Sequence, residues 1–345
     1  MTQSSAQDIA LLADIGGTNV RFGFAHPLLP APLDMSSIRA YRVAEFASLA
    51  DAASRYLDEA GLSHETMHAV FAVAGRVVNG DVRMTNHPWN VSADESRRQL
   101  GLRSLHLVND FAALGMGLTL LSPQDLQAIG APGPPTIGSA AEQTFAVIGP
   151  GTGLGVGGLL IRNGIASVLQ TEGGHAGFAP VTALEMDILQ RLQARFGRVS
   201  NERLISGEGL VNLHSTLGEI DAVAVQPLSP EDIIARADSD PACARTVATI
   251  CDINGAIAGD LVLAFGAWDG VYLAGGLTTA LLPWLLRGGF RQRFEDKGRF
   301  ATAMAQVATL SIAHPYAGLL GAAAIAVRDA SSEVARKPLS GAQSG

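Results

Sequence analysis

Asp8-Ile-Ala-Leu-Leu-Ala-Asp14-Ile-Gly-Gly-Thr-Asn-Val-Arg-Phe-Gly-Phe24 is the stretch on which the fold turns. An apolar run of strand length, residues 8–14, stops at Gly16-Gly17, and residues 20–24 then alternate with period two. Two strands joined by Gly16-Gly17-Thr18-Asn19 make a hairpin, so these glycines do not open a helix. The pattern recurs in the second half of the chain, where 144–148 runs into Gly149-Pro-Gly-Thr-Gly153 and strand-like residues follow over 154–161. Each half therefore carries a glycine hairpin whose backbone N–H groups can face an anion. Standing alone, either would be an ordinary hairpin.

Outward from these hairpins, residues 48–60 and 92–100 have helical periodicity, the second opened by the capping-box pattern Ser92-Ala-Asp-Glu95. Residues 68–73 and 105–108 read as strands, and 111–118 as a helix. Pro123, Pro132, Pro134 and Pro135, with several glycines, make 122–143 a loop-rich boundary. Helical patterns follow at 184–196 and 241–265, and the strand 271–274 ends at Gly275-Gly276. The tail from Ala330 is small and polar and is expected to fray.

Hydrophobic residues make up 48% of the chain and charged residues 16%, the opposite of a disordered balance, and 345 residues suit two domains. A net charge of −8 excludes a binder of nucleic-acid backbones, which needs clustered Lys and Arg. Lys297 and Lys337 are the only lysines, so phosphate contacts elsewhere must come from Arg, backbone amides or a metal. Cys243 and Cys251, eight apart in a helical stretch, return to one face and read as buried thiols in a reducing compartment. No secretory signal pattern is evident, Asp260 interrupts the apolar run 256–265, and 317–327 is too short to span a bilayer. The expectation is a cytoplasmic protein with no membrane and no nucleic-acid partner.

Gly153-Leu-Gly155-Val-Gly157-Gly158 fits G-x-G-x-x-G by letter, but a dinucleotide site needs a helix after it and strand-like residues follow. No Walker A loop occurs. Glu172-Gly-Gly-His175 could be taken for a metal-binding Glu-x-x-His helix, but its glycines, with Gly177 and Pro180, disfavour a helix there and no second copy exists.

Taken together, Asp14-Ile-Gly-Gly-Thr-Asn19, Gly149-Pro-Gly-Thr-Gly-Leu-Gly155 and Leu273-Ala-Gly-Gly276 resemble, in order, the phosphate-1, phosphate-2 and adenosine motifs of the actin, hexokinase and heat-shock chaperone ATPase superfamily. Within it the chain is similar to the bacterial glucokinase family. Met84-Thr-Asn-His-Pro-Trp89, Val108-Asn-Asp-Phe111, Glu172-Gly-Gly-His175, Glu202-Arg-Leu-Ile-Ser-Gly207 and Phe294-Glu-Asp-Lys-Gly-Arg-Phe300 carry that likeness, which runs over about 11–327. Two stretches depart from the family's pattern, Ala176-Gly177 and His314-Pro-Tyr316, and they bear on loop shape and sugar selectivity.

The resemblance implies an α/β chain with a two-lobed ribonuclease H-like (actin/hexokinase-like ATPase) fold, a mixed sheet in each lobe, closing on sugar and nucleotide. The lobes are expected over 1–120 with about 319–335, and 121–318, leaving 336–345 as a disordered tail. It implies ATP-dependent phosphorylation of D-glucose at the 6-hydroxyl, giving glucose 6-phosphate and ADP, in a homodimer. Carried over by position, Asp110 is the catalytic base, and Asn109, Asp110, Glu172, His175 and Glu202 hold the sugar. Asp14, Gly16, Gly17, Thr18, Asn19, Gly151, Thr152, Gly153, Gly275 and Gly276 hold the nucleotide, with Asp14 facing Mg²⁺ through water. Asn86 and His87 are further substrate candidates, and Trp89 reads as packing.

Part of this stands on chemistry alone. A carboxylate beside an anion turn, as Asp14 is, would repel phosphate unless a hard cation lay between them. Asp110 follows a strand end, where α/β sheets place ligands, although capping the next helix is a second use for it. Another hexose or N-acetylhexosamine kinase, or a sugar-sensing homologue without activity, would share the fold. The repressor/open-reading-frame/kinase family carries a Cys-rich zinc motif after its Glu-x-x-His segment, and no cysteine precedes Cys243 here. A sensor would be expected to lack Asp110.

Overall fold

The opening hairpin forms as read: β1 (Ala10–Ile15) and β2 (Asn19–Ala25) pair antiparallel, with Ile15 opposite Val20 across the turn. The computed structural model describes residues 9–62, 67–83 and 89–336. The chain divides into two units, Met1–Leu121 with Pro315–Gly345, and Ser122–His314.

In the first unit β3 (Leu33–Arg42) extends the hairpin, α1 (Leu49–Ala60) follows, and β4 (His68–Val73) returns parallel to β1. A small ribbon of β5 (Asp81–Arg83) and β6 (Asn90–Ser92), then α2 (Ala93–Gln99), lead to β7 (Ser104–Asn109) and α3 (Asp110–Gly117). The sheet order is β3-β2-β1-β4-β7, mixed because β1, β4 and β7 pair parallel while β2 runs antiparallel to both its neighbours, β1 and β3. Period-two alternation sends Leu11, Ala13 and Ile15 into a core with Tyr56, Leu57 and Phe71, which leaves Asp14 on the opposite face. Trp89 is buried in the same core, its indole N–H donating to the Phe46 carbonyl. The capping box read at Ser92 does not form, since the Ser92 side chain makes no cap bond to α2.

The second unit contains β8 (Leu126–Ala128), β9 (Glu142–Pro150), β10 (Leu154–Arg162) and β11 (Ile165–Gln170), then α4 (Ala183–Phe196), α5 (Gly207–Ile220), α6 (Pro230–Arg236) and α7 (Pro241–Phe265). There follow β12 (Gly270–Leu273), α8 (Gly276–Leu285), α9 (Gly289–Glu295), α10 (Ala301–Met304) and β13 (Thr309–Ile312). Its sheet, β11-β10-β9-β12-β13-β8, is also mixed. The stretch read only as loop thus supplies an edge strand: β8 is three residues long and its pairing is with β13, far along the chain. The glycines of the nicotinamide-like string lie in or beside β10, and a Cβ at Gly158 would meet the Phe145 carbonyl oxygen at 2.6 Å. Gly158 serves strand packing.

Helix α7 is long and apolar enough to cross a membrane, yet most of it is buried in this unit's core, Cys243 and Cys251 included, both as free thiols. Asp260, the charge within its apolar run, meets Lys297 Nζ at 2.6 Å, while the same ammonium donates to the Ala256 carbonyl. That assigns Lys297 in Phe294-Glu-Asp-Lys-Gly-Arg-Phe300 to holding the end of α9 against α7.

The chain then returns to the first unit as α11 (Ala317–Arg336), which packs on α3, β1 and β4. The tail expected to fray from Ala330 is helical as far as Arg336; residues 337–345 lie outside the described ones. Glycines set the approach of α11 to α3, since a Cβ at Gly321 would stand 2.2 Å from the Ala113 carbonyl oxygen and one at Gly117 would stand 3.1 Å from Gly321 Cα.

Candidate functional site

In the first unit the site residues gather at the C-terminal edge of the parallel strands. Asp14 on β1 is level with Ala72 on β4 and Val108 on β7, so Asp110, just past β7, stands two strands away, about 10 Å across the sheet. Asp14 lies directly opposite Arg21 in the hairpin register and accepts from its Nη1 at 3.3 Å. Its other neighbour is the first turn of α11, where a Cβ on Gly318 would fall 2.5–2.7 Å from the carboxyl atoms. Burial raises the Asp14 pKa, opposed by the Arg21 charge and hydrogen bond. Gly17, Thr18 and Asn19 are exposed at the turn, which closes through the Gly16 N–H to the Asn19 carbonyl at 3.0 Å.

Asp110 is the first residue of α3, and the N-cap is Asn109. The capping role considered for Asp110 therefore belongs to its neighbour: Asn109 Oδ1 accepts the N–H groups of Phe111 and Ala112, at 3.0 and 3.1 Å. Asn109 Nδ2 donates to the Gly75 carbonyl at 3.0 Å and to Asp110 Oδ1 at 2.9 Å. The Phe111 N–H also reaches Asp110 Oδ1, at 3.0 Å. One oxygen of Asp110 is thus held by two donors, and Oδ2 takes none of the described hydrogen bonds. Burial, with the nearby Asp14 charge, pushes the Asp110 pKa up to about 7 against those donors.

In the second unit, the turn from Pro150 to Leu154 closes with the Gly151 N–H on the Gly153 carbonyl at 2.8 Å. Gly275 adopts φ 92°, and a Cβ there would meet the Pro150 carbonyl oxygen at 2.7 Å, so Gly275 lies against the turn from Pro150 to Leu154. Gly276 opens α8 with nothing within 4 Å of a Cβ built on it. Glu172 precedes a single 3₁₀ turn, Gly173–His175, which agrees with the reading against an α-helix there. Its glycines press onto β10: a Cβ at Gly174 would overlap the Leu154 carbonyl oxygen at 2.0 Å. Glu172 and His175 are thereby left exposed, the latter's carbonyl accepting from Arg198 at 2.6 Å. Glu202 lies beside His175, its Oε1 3.8 Å from Nδ1.

The structure accordingly brings together Asp14, Asn109 and Asp110 in one unit, and Gly151–Gly153, Glu172, His175, Glu202 and Gly275 in the other. Asn86 and His87 lie outside the described residues. Arg21 and Gly318 were missed. Arg21 could have been found by counting register back across the hairpin from Asp14; Gly318 carries no local signal.

The sequence profile of the Glucokinase family matches residues 11–329. The chain is 53% identical over 321 residues to a glucokinase of Stenotrophomonas maltophilia (strain K279a), covering 92% of this chain and 94% of the relative. It is 51% identical to one of Xylella fastidiosa (strain 9a5c), covering 94% and 96%. The crystal structure of a glucokinase from an Antarctic psychrotroph superposes with a TM-score of 0.80 at 30% identity, covering 92% of this chain and 98% of that one.

Proposed function

The chain belongs to the glucokinase family, a family of phosphotransferases, and from that premise we propose that it transfers the γ-phosphoryl group of ATP to the 6-hydroxyl of D-glucose. Asp110 carries this reading: a half-buried carboxylate at a strand's C-terminal edge, with one oxygen anchored, the other uncommitted, and a pKa of about 7. A sugar hydroxyl is a weak nucleophile, and a base poised near neutrality both orients it and takes its proton. The O6–H proton passes to Asp110 Oδ2 as the new O6–P bond forms, the bond from Pγ to the bridging oxygen breaks, and ADP leaves with that electron pair.

Glu172, His175 and Glu202 supply acceptors and donors for the remaining hydroxyls. The amides of residues 16–19 and 151–153, with Gly275 and Gly276, receive the nucleotide. Mg²⁺ fits what the residues offer, because Asp14 is a hard oxygen donor beside an anion turn. Among the described residues no group of three or more acidic, His or Cys side chains could cage a metal. Asp14 would hold the ion through water, with the phosphates completing its shell, the usual habit of Mg²⁺. When bound, the ion neutralises charge on the transferring phosphate.

We place the enzyme in the cytoplasm, as a homodimer, on the family likeness; light scattering checks the second point. A coupled assay with a panel of hexoses and phosphoryl donors tests the activity itself. Turnover is expected with glucose and ATP, lost in excess EDTA and restored by Mg²⁺. Full turnover in EDTA, or none with glucose, would defeat the reading.

A further inference from the structure

Three segments of the second unit meet around one carboxylate. Glu202, on the 3₁₀ turn Asn201–Arg203, accepts the Leu154 N–H on Oε2 at 2.9 Å and lies so close to Gly153 that a Cβ there would stand 2.5 Å from the same oxygen. Its Oε1 faces His175. The segment is held at three further points: the Gly207 N–H donates to the Gly151 carbonyl at 2.9 Å, the Asn201 N–H to the Ala176 carbonyl at 2.9 Å, and the Ser206 hydroxyl to the Glu202 carbonyl at 2.8 Å. The turn assigned to donor phosphate and the residues assigned to sugar therefore share one frame, and Glu202 touches both.

We propose that Glu202, beyond contacting sugar, is a positioning residue that couples sugar binding to donor binding through the Leu154 amide; this rests on the kinase reading above. A carboxylate held at one oxygen still turns about its last side-chain torsion. A sugar hydroxyl on Oε1 locks that torsion and, through Oε2, the turn from Pro150 to Leu154. The ordering is then done once, and the second ligand binds a turn already set, which gives positive coupling without a large displacement. Gly153 has no side chain because the carboxylate occupies its place.

The test is calorimetric titration of glucose into the full chain with and without Mg²⁺ and a non-hydrolysable ATP analogue. In the wild type the analogue is expected to tighten glucose at least about fivefold, the low end of ordinary coupling. Glu202→Ala loses that factor, while Glu202→Gln, whose amide oxygen still accepts the Leu154 N–H, retains it. Glu172→Ala weakens glucose and keeps the factor. Should Glu202→Ala not fold, Gly153→Ala, which displaces the carboxylate from the turn, gives the same loss. An unchanged factor in the Ala variants, no coupling in the wild type, or equal loss in Glu172→Ala overturns the proposal. Failure of the wild type to bind glucose at all defeats instead the functional reading beneath it.

Discussion

Asp110 shows how a single residue is tuned by what surrounds it. Its carboxylate is raised to about 7 chiefly by burial, so the folded state keeps a proton that the unfolded chain releases near pH 4. Across that window the unfolded state binds fewer protons, and stability falls as pH rises, levelling off above about 7. Asp110→Asn removes the penalty. The variant's melting temperature should exceed the wild type's by a margin that grows from about pH 4 to about pH 7 and then stays constant. Its kcat should fall at least about a hundredfold, the loss of a general base. Wild-type kcat/KM should decline below about pH 7 with a slope of one proton, as the base fills. Near-normal turnover in Asp110→Asn, or a flat profile through pH 7, would refute the assignment. Asp110 was legible as a strand-end carboxylate, but its elevated pKa was not, because burial is a property of the packed neighbours.

At the scale of elements, the relation between α3 and α11 places both carboxylates: α3 begins at Asp110, and the first turn of α11 carries Gly318 against Asp14. Gly321 lets the two helices approach, and a methyl there meets backbone, which cannot rotate away. Gly321→Ala should therefore destabilise by about 1–3 kcal/mol, as overpacking does, with a loss of activity beyond the unfolded fraction. Ser331→Ala on an exposed position of the same helix should stay within about 0.5 kcal/mol. Denaturant titrations and assays of the surviving folded fraction separate these outcomes. Gly318→Ala acts more locally, pushing on the Asp14 carboxylate itself, and should raise the Mg²⁺ concentration needed for half-maximal activity roughly tenfold, a loss of about 1.4 kcal/mol.

On the scale of the whole molecule, the second unit is continuous in sequence while the first is closed by a helix that arrives after the entire second unit. Leu319, Ala322, Ala323 and Ile325 are buried, and α11 packs on β1, β2, β4 and α3. Removing residues 315–345 should strip that face and leave the first unit unfolded. In hydrogen exchange, β1, β4 and β7 should lose protection while β9, β10 and β12 keep theirs. Equal protection in both units of the truncated chain would show that α11 is dispensable.

The sequence by itself determined both glycine hairpins, the strands next to them, the long helix α7 and the order of the site motifs, because alternation, helical period and turn glycines act over a few neighbouring residues. It also placed Asp110, Glu172, His175 and Glu202 as candidates by residue type and motif. Only the tertiary structure decided which distant groups meet the site: Gly318 on Asp14, Gly75 on Asn109, and the Leu154 amide on Glu202. It likewise decided that β8 joins β13. These are contacts between segments far apart in the chain, settled by which faces bury together, and no local pattern encodes them.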